Sequence, residues 1–145
     1  NRDLAAYSEE LGMSTGEALL APTRIYVSAV FALLNQVDIH SIAHITGGGF
    51  YENIPRALPE HCSARIWRNS FPRPPVFSLI QREGALDERE MYNVFNMGIG
   101  MCIIVAGQDA QAALLLLRER GEEAYLIGEV VSGEKEVLLC ETSPY

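Results

Sequence analysis

At 145 residues, 48% of them hydrophobic and 21% charged, the chain has the size and composition of one globular domain with a real core. Its net charge of −8 argues against nucleic-acid binding, which needs a basic surface to displace counterions. No apolar run approaches the length of a membrane-spanning helix, and no signal-peptide pattern opens the sequence.

The first residue is Asn1 rather than methionine, so a trimmed or excised chain is expected. In chain order, Asp3 can cap a helix over residues 3–10, with Gly12 beyond its end. Residues 13–20 read as a loop or short helical turn. Pro22 suits the first turn of a helix over 22–36, with Ile25, Val27, Val30, Phe31 and Leu34 as its buried face. Residues 38–46 read as a strand that runs into Gly47, Gly48 and Gly49, followed by a helix near 53–58. A short strand is expected over 63–67, then an irregular stretch with three prolines over 70–75. A helix then starts at Pro74 or Pro75 and stops at Gly84, and Asp87 caps another through Val94. The apolar run 101–106 reads as an interior strand. A helix over 110–120 ends at Gly121, with Arg118 and Arg120 in its last turn. Residues 124–131 and 135–140 read as two strands of a β-hairpin. The whole suggests an α/β sandwich around a mixed sheet.

Three consecutive glycines are entropically costly, so they mark a backbone that takes unusual dihedrals or comes very close to something. Before a helix, such a run can aim several N–H groups at one anion, usually a phosphate. A tight strand-to-helix turn explains the same residues, and the run has neither Walker nor GxGxxG spacing. Asn53 suits capping of the following helix or contact with a ligand. Thr23 and Arg24 fall in the first turn of their helix, where a cation opposes the dipole and an anion nearby would relieve it. The alternative is a solvated arginine or an ion pair with Glu17. His40 and His44 are four apart in a strand, roughly 13 Å from each other, too far to share one metal. Gly98 and Gly100 lead into an apolar strand beside the polar Asn96, which points to close packing or to a ligand contact. Cys62, Cys102 and Cys140 are odd in number and widely spaced, which suggests neither a disulfide framework nor a zinc site and fits a reducing compartment. Catalytic chemistry does not follow from these residues by themselves.

Three segments together carry a resemblance: LLAPTRIYV at 19–27, IAHITGGGFYENIPRALP at 42–59 and EMYNVFNMGIGM at 90–101. In this order they strongly resemble the C-terminal half of aminoimidazole ribonucleotide synthetase, also called phosphoribosylformylglycinamidine cyclo-ligase. The likeness extends over nearly the whole chain. It implies a three-layer α/β/α sandwich with a mixed sheet, forming a single C-terminal domain over residues 1–145. It implies an ATP-dependent ligase of purine biosynthesis acting on formylglycinamidine ribonucleotide, cytoplasmic and homodimeric in full-length form. ATP and Mg2+ would be bound mainly by an N-terminal domain that this sequence does not contain, so the isolated chain is expected to be inactive. By the same carry-over, Thr23, Arg24, His44, Thr46, Gly47, Gly48, Gly49, Asn53, Asn96 and Gly98 border the interdomain cleft, with no metal ligand and no assigned acid or base among them. Relatives in the same superfamily remain the alternative: formylglycinamidine ribonucleotide synthetase, selenophosphate synthetase or a hydrogenase maturation factor. A non-catalytic interaction module is the third reading. A separated half is also expected to expose an apolar face and to self-associate.

Overall fold

A computed structural model describes residues 3–142. The N-terminal segment forms a small antiparallel pair, β1 (Tyr7–Ser8) and β2 (Met13–Ser14), rather than the helix expected over 3–10. Gly12, at φ +67°, closes the turn by donating its N–H to the Ser8 carbonyl. The helix signal in this region belongs to Ser14. Its side chain accepts from the Glu17 N–H while the Glu17 carboxylate accepts from the Ser14 N–H, a capping box that opens α1 (Thr15–Leu19).

The next helix, α2 (Val27–Leu34), begins five residues later than Pro22 suggested. Its inward face is also different. Ala29 and Leu33 are buried, whereas Ile25, Val27, Phe31 and Leu34 are each more than half exposed. Apolar residues occur around much of this helix, so periodicity could not say which stripe faces inward.

Strand β3 (Ile39–His44) leads through the glycine run into α3 (Gly49–Arg56). Its partner β5 (Met101–Val105) lies antiparallel, with His44 opposite Met101 and Ala43 opposite Cys102. The apolar run of β5 does not make it an interior strand. Among the described residues it pairs with β3 alone, and each of its own residues is only partly buried.

Strand β4 (Cys62–Trp67) is central to the second sheet, order β6-β4-β7, with β6 (Gly128–Ser132) antiparallel to it and β7 (Val137–Cys140) parallel. The hairpin expected from the two C-terminal strands is therefore opened, and β4 lies between them. The connection passes over the start of β4, where Gly133 donates to the His61 carbonyl and a Cβ on Gly133 would meet Ser63 Oγ at 2.1 Å. Both faces of β4 carry buried residues, and such a strand needs a neighbour on each edge. Arg65 stands opposite Glu129 and pairs with it at 2.8 Å, a cross-strand contact that fits the register.

The other helices follow their sequence signals closely. Pro75 opens α4 (Pro75–Gly84), and Asp87 caps α5 (Glu88–Val94) by accepting from the Glu90 N–H at 2.7 Å. A 3-10 turn at Gly107–Asp109 leads into α6 (Ala110–Glu119). Beyond α6, Gly121 turns at φ +80° and Arg118 donates to the Ala124 carbonyl. The result is a mixed α/β fold in three layers. The helices α2 and α6 pack against each other, and the main core joins residues of the strands, α3 and α5. Phe50 and Tyr92 anchor that core, ring edge to ring face at 5.2 Å, with Ile54, Ile66, Met91 and Met97 around them.

Candidate functional site

The glycine run sits where β3 hands over to α3, beside the turn that leads from α5 into β5. Its three glycines do different things. Gly47 is exposed and a side chain there would meet nothing within 4 Å. Gly48, at φ +90°, is the residue before the helix, and the Glu52 side chain lies over it. Gly49, at φ +52°, is buried, and a Cβ there would stand 2.1 Å from the Tyr92 carbonyl oxygen and 2.9 Å from that of Phe95. Gly49 therefore allows α3 to press against the C-terminal end of α5. Its N–H donates to the Thr46 carbonyl at 3.0 Å, whereas those of Gly47 and Gly48 are not among the loop's internal donors.

Asn53 is inside α3, and its buried side chain reaches back along the loop. Nδ2 donates toward the carbonyls of Gly49 at 2.7 Å, Gly47 at 3.2 Å and Thr46 at 3.4 Å. Such an anchor fixes the loop through its carbonyls and does not use the N–H groups of Gly47 and Gly48. The Glu52 carboxylate is held by Arg56 at 3.2 Å on the next turn, and it puts negative charge over the helix start. An anion arriving at Gly47 and Gly48 must displace it.

Asn96 organises the adjacent turn. Its Oδ1 accepts from the Gly98 N–H at 3.1 Å, and its carbonyl accepts from the Ile99 N–H at 2.8 Å. Gly98, at φ +100°, lies against Pro74 and the Pro72 carbonyl, so close packing accounts for it. Gly100 is equally constrained: a Cβ there would meet the Tyr26 hydroxyl at 2.0 Å, and its carbonyl accepts from the Ile45 N–H.

The remaining residues lie on the α2 side of the strands. Arg24, Tyr26, His44 and Met101 line a groove of about 430 Å³ together with the exposed apolar face of α2. The Tyr26 ring meets His44 edge-on at 6.2 Å. Arg24 does not pair with Glu17. Its partner is Glu122, at 3.5 Å, from the segment after α6. Burial holds the Tyr26 hydroxyl above its ordinary pKa, with Arg24 opposing that shift and Glu122 adding to it. Thr23 and Thr46 are exposed nearby in the chain.

The structure thus places eight of the ten residues in two groups at one end of β3 and β5: Gly47, Gly48, Gly49, Asn53, Asn96 and Gly98 form the loop wall, and Arg24 and His44 border the groove. Thr23 and Thr46 are exposed beside them in the chain, and Thr46 meets the loop wall through its backbone carbonyl. Sequence reading missed Tyr26 and Glu122. Tyr26 stood inside the first of the three motifs without a role of its own, and Glu122 is distant in sequence from anything it serves. Among the described residues, no group of three or more His, Cys, Asp or Glu is arranged to hold a metal ion. Anion contact by N–H groups and Arg24 is chemistry that this wall can supply.

Comparison with known proteins places the chain in a family. The family model described as "AIR synthase related protein, C-terminal domain" matches residues 3–141. Phosphoribosylformylglycinamidine cyclo-ligase of Alkaliphilus metalliredigens is 48% identical over 135 residues, which is 93% of this chain and 39% of that protein. The protein of the same name from Thermoanaerobacter pseudethanolicus is 50% identical over 139 residues, 96% of this chain and 41% of its own length. The chain thus spans about two fifths of the length of the curated relatives it matches. Two crystal structures of E. coli HypE, one titled a hydrogenase maturation protein, share the fold. Their TM-scores are 0.61 and 0.64 at 25% and 21% identity, covering 80% and 90% of this chain and 35% and 42% of theirs.

Proposed function

This chain belongs to the family of AIR synthase related C-terminal domains, and on that premise we propose that it is the C-terminal domain of an ATP-dependent phosphoribosylformylglycinamidine cyclo-ligase. The observation that carries the reading is similarity to curated cyclo-ligases along almost the whole chain, at identities well above those shared with HypE. In this reading the chain is one wall of a cleft. A further N-terminal domain supplies the opposite wall and most of the contacts to ATP and Mg2+. The full protein is a cytoplasmic homodimer acting in purine biosynthesis.

The reaction consumes formylglycinamidine ribonucleotide and ATP. The γ-phosphoryl group passes to the formyl amide oxygen, releasing ADP. A nitrogen of the same substrate then attacks the activated carbon, phosphate leaves, and the imidazole ring closes. Positioning and charge stabilisation are the main demands of such chemistry. The N–H groups of Gly47 and Gly48 meet an anionic phosphate group, and Asn53 holds them in place. Arg24 releases Glu122 to face the same charge. His44, Thr46 and Asn96 offer polar contacts at the mouth, and Thr23 flanks Arg24.

The test is complementation. The chain is mixed with the N-terminal portion of the A. metalliredigens relative, and ATP-dependent phosphate release with formylglycinamidine ribonucleotide is followed. The expected outcome is no turnover by either piece and measurable turnover by the pair. Robust ring closure by the chain alone would overturn the proposal, as would an inert pair that nonetheless co-purifies as a stable complex.

A further inference from the structure

Helix α2 carries no charged residue, and Ser28 is its single polar one. A helix that is apolar all round belongs in an interior. Here only one side of it is inside. Ala29 and Leu33 are buried, on the side where α2 packs against α6. Val27, Phe31 and Leu34, spaced four and three apart, form the opposite stripe, and each is more than half exposed. Val27 and Phe31 also border the groove that takes in Ile42 and His44 of β3. Nine of the fourteen large hydrophobic residues that are exposed among the described ones fall within residues 4–34, so the uncovered apolar surface is concentrated in the N-terminal part of the chain. A clustered apolar surface of this kind marks an interaction site.

We infer that the outer stripe of α2 is the docking surface for a domain that precedes this chain in the same polypeptide. The inference rests on the cyclo-ligase reading and says which face of the fold the preceding domain covers. Three observations choose that occupant. The chain matches a family model described as a C-terminal domain and spans about two fifths of its curated relatives, which leaves about three fifths of each outside the match. The chain is also pinned close to its start. The Gly16 N–H donates to the Leu4 carbonyl at 2.8 Å, and Arg82 of α4 holds the Glu10 carboxylate through bonds of 3.0 and 2.8 Å. A domain leading into this segment is held at a fixed point on the fold, and short tethers give effective concentrations of about millimolar that a free second copy does not match. The third observation is polarity. The stripe offers no charge, and Arg24 beside it is held by Glu122, so the complementary surface is apolar. Docking there closes the groove over Arg24 and His44, so the interface and the cleft form in one step.

The experiment is site-specific photocrosslinking in the full gene product that contains this chain. The photoreactive residue p-benzoylphenylalanine replaces Phe31 in one variant and Leu34 in a second, with the exposed Leu115 of α6 as the control position. Val27 is the third position on the stripe in case either variant fails to fold. After irradiation and digestion, the α2 positions are expected to be joined to peptides from upstream of residue 1, in a product with the mass of a single polypeptide, and that product is lost at Leu115. A product of twice the single-chain mass would assign the stripe to a second copy and overturn the inference. So would crosslinks confined to residues 1–145, equal joining to upstream peptides from Leu115, or no crosslink from folded α2 variants. Failure of the cyclo-ligase reading would be seen separately, as absent ring closure by the same full gene product with the upstream crosslinks in place.

Discussion

Substituting alanine for each glycine of the loop in turn should give three different costs, and the spacing between them is set by the structure. Gly49→Ala is the severe one. The new Cβ would lie 2.1 Å from the Tyr92 carbonyl oxygen and 2.8 Å from its carbon, against a backbone that cannot rotate away. The φ of +52° adds left-handed strain of about 1–2 kcal/mol for a residue with a side chain. Relieving the contact means moving α3 away from α5 across the buried Phe50–Tyr92 pair, an overpacking cost of about 1–3 kcal/mol. The total is about 2–5 kcal/mol, a large share of the ~5–15 kcal/mol by which a domain is stable. Gly48→Ala keeps the left-handed strain of about 1–2 kcal/mol, at φ +90°, and its Cβ would also stand 2.8 Å from Glu52 Cβ, which the helix fixes, and 2.6 Å from the movable Glu52 Oε2, so a cost between those of Gly47→Ala and Gly49→Ala is expected. Gly47→Ala meets nothing and should stay within about 0.5 kcal/mol of the parent. Urea denaturation at constant m-value measures all three. A Gly49→Ala protein within about 0.5 kcal/mol of the parent would refute the close approach of the two helices. In the complemented enzyme, Gly47→Ala retains its N–H and should retain activity. Its loss there, without loss of stability, would mean that the open space at Gly47 is filled by ligand.

Three other substitutions probe separate features. Asn53→Ala should cost about 1–3 kcal/mol by denaturation, and Asn53→Asp more, because a carboxylate would face the three carbonyl oxygens that Nδ2 now serves; an Asp variant as stable as the Ala variant would contradict the assigned donor. Cys102 has its folded pKa raised from 9.0 to about 12, so its contribution to stability is full below pH 9 and is lost as pH rises toward 12. Alkaline denaturation should therefore be steeper in the parent than in Cys102→Ala, and iodoacetamide should modify Cys102 last of the three cysteines. The exposed apolar row of Val27, Phe31 and Leu34 on α2 should make the isolated chain self-associate, and Phe31→Asp should lower the mass seen by light scattering. A strictly monomeric parent at high concentration would contradict this.

Much of the chain could be read from local signals. Asp87, Pro75 and Gly121 marked helix ends because capping and backbone geometry are decided within a few residues. The strand into the glycine run was equally visible, and its flanking motifs carried the family resemblance that the family model matches. The same signals misplaced the N-terminal helix, because Asp3 is as good a cap as Ser14 until the Gly12 turn pairs β1 with β2.

The sequence by itself determined where α4, α5 and α6 start and stop, that three glycines needed room, and which family the chain resembles, whereas the helix expected near 53–58 begins at Gly49. Each of those depends on neighbours along the backbone. Only the tertiary structure decided that β4 separates β6 from β7, that α2 buries Ala29 and Leu33 rather than its larger residues, and that Gly49 serves the contact with Tyr92. It also decided that Arg24 meets Glu122 across 98 positions of sequence. Strand order, the choice of buried face and long-range ion pairs depend on what packs opposite, and no local pattern of residues encodes its own partner.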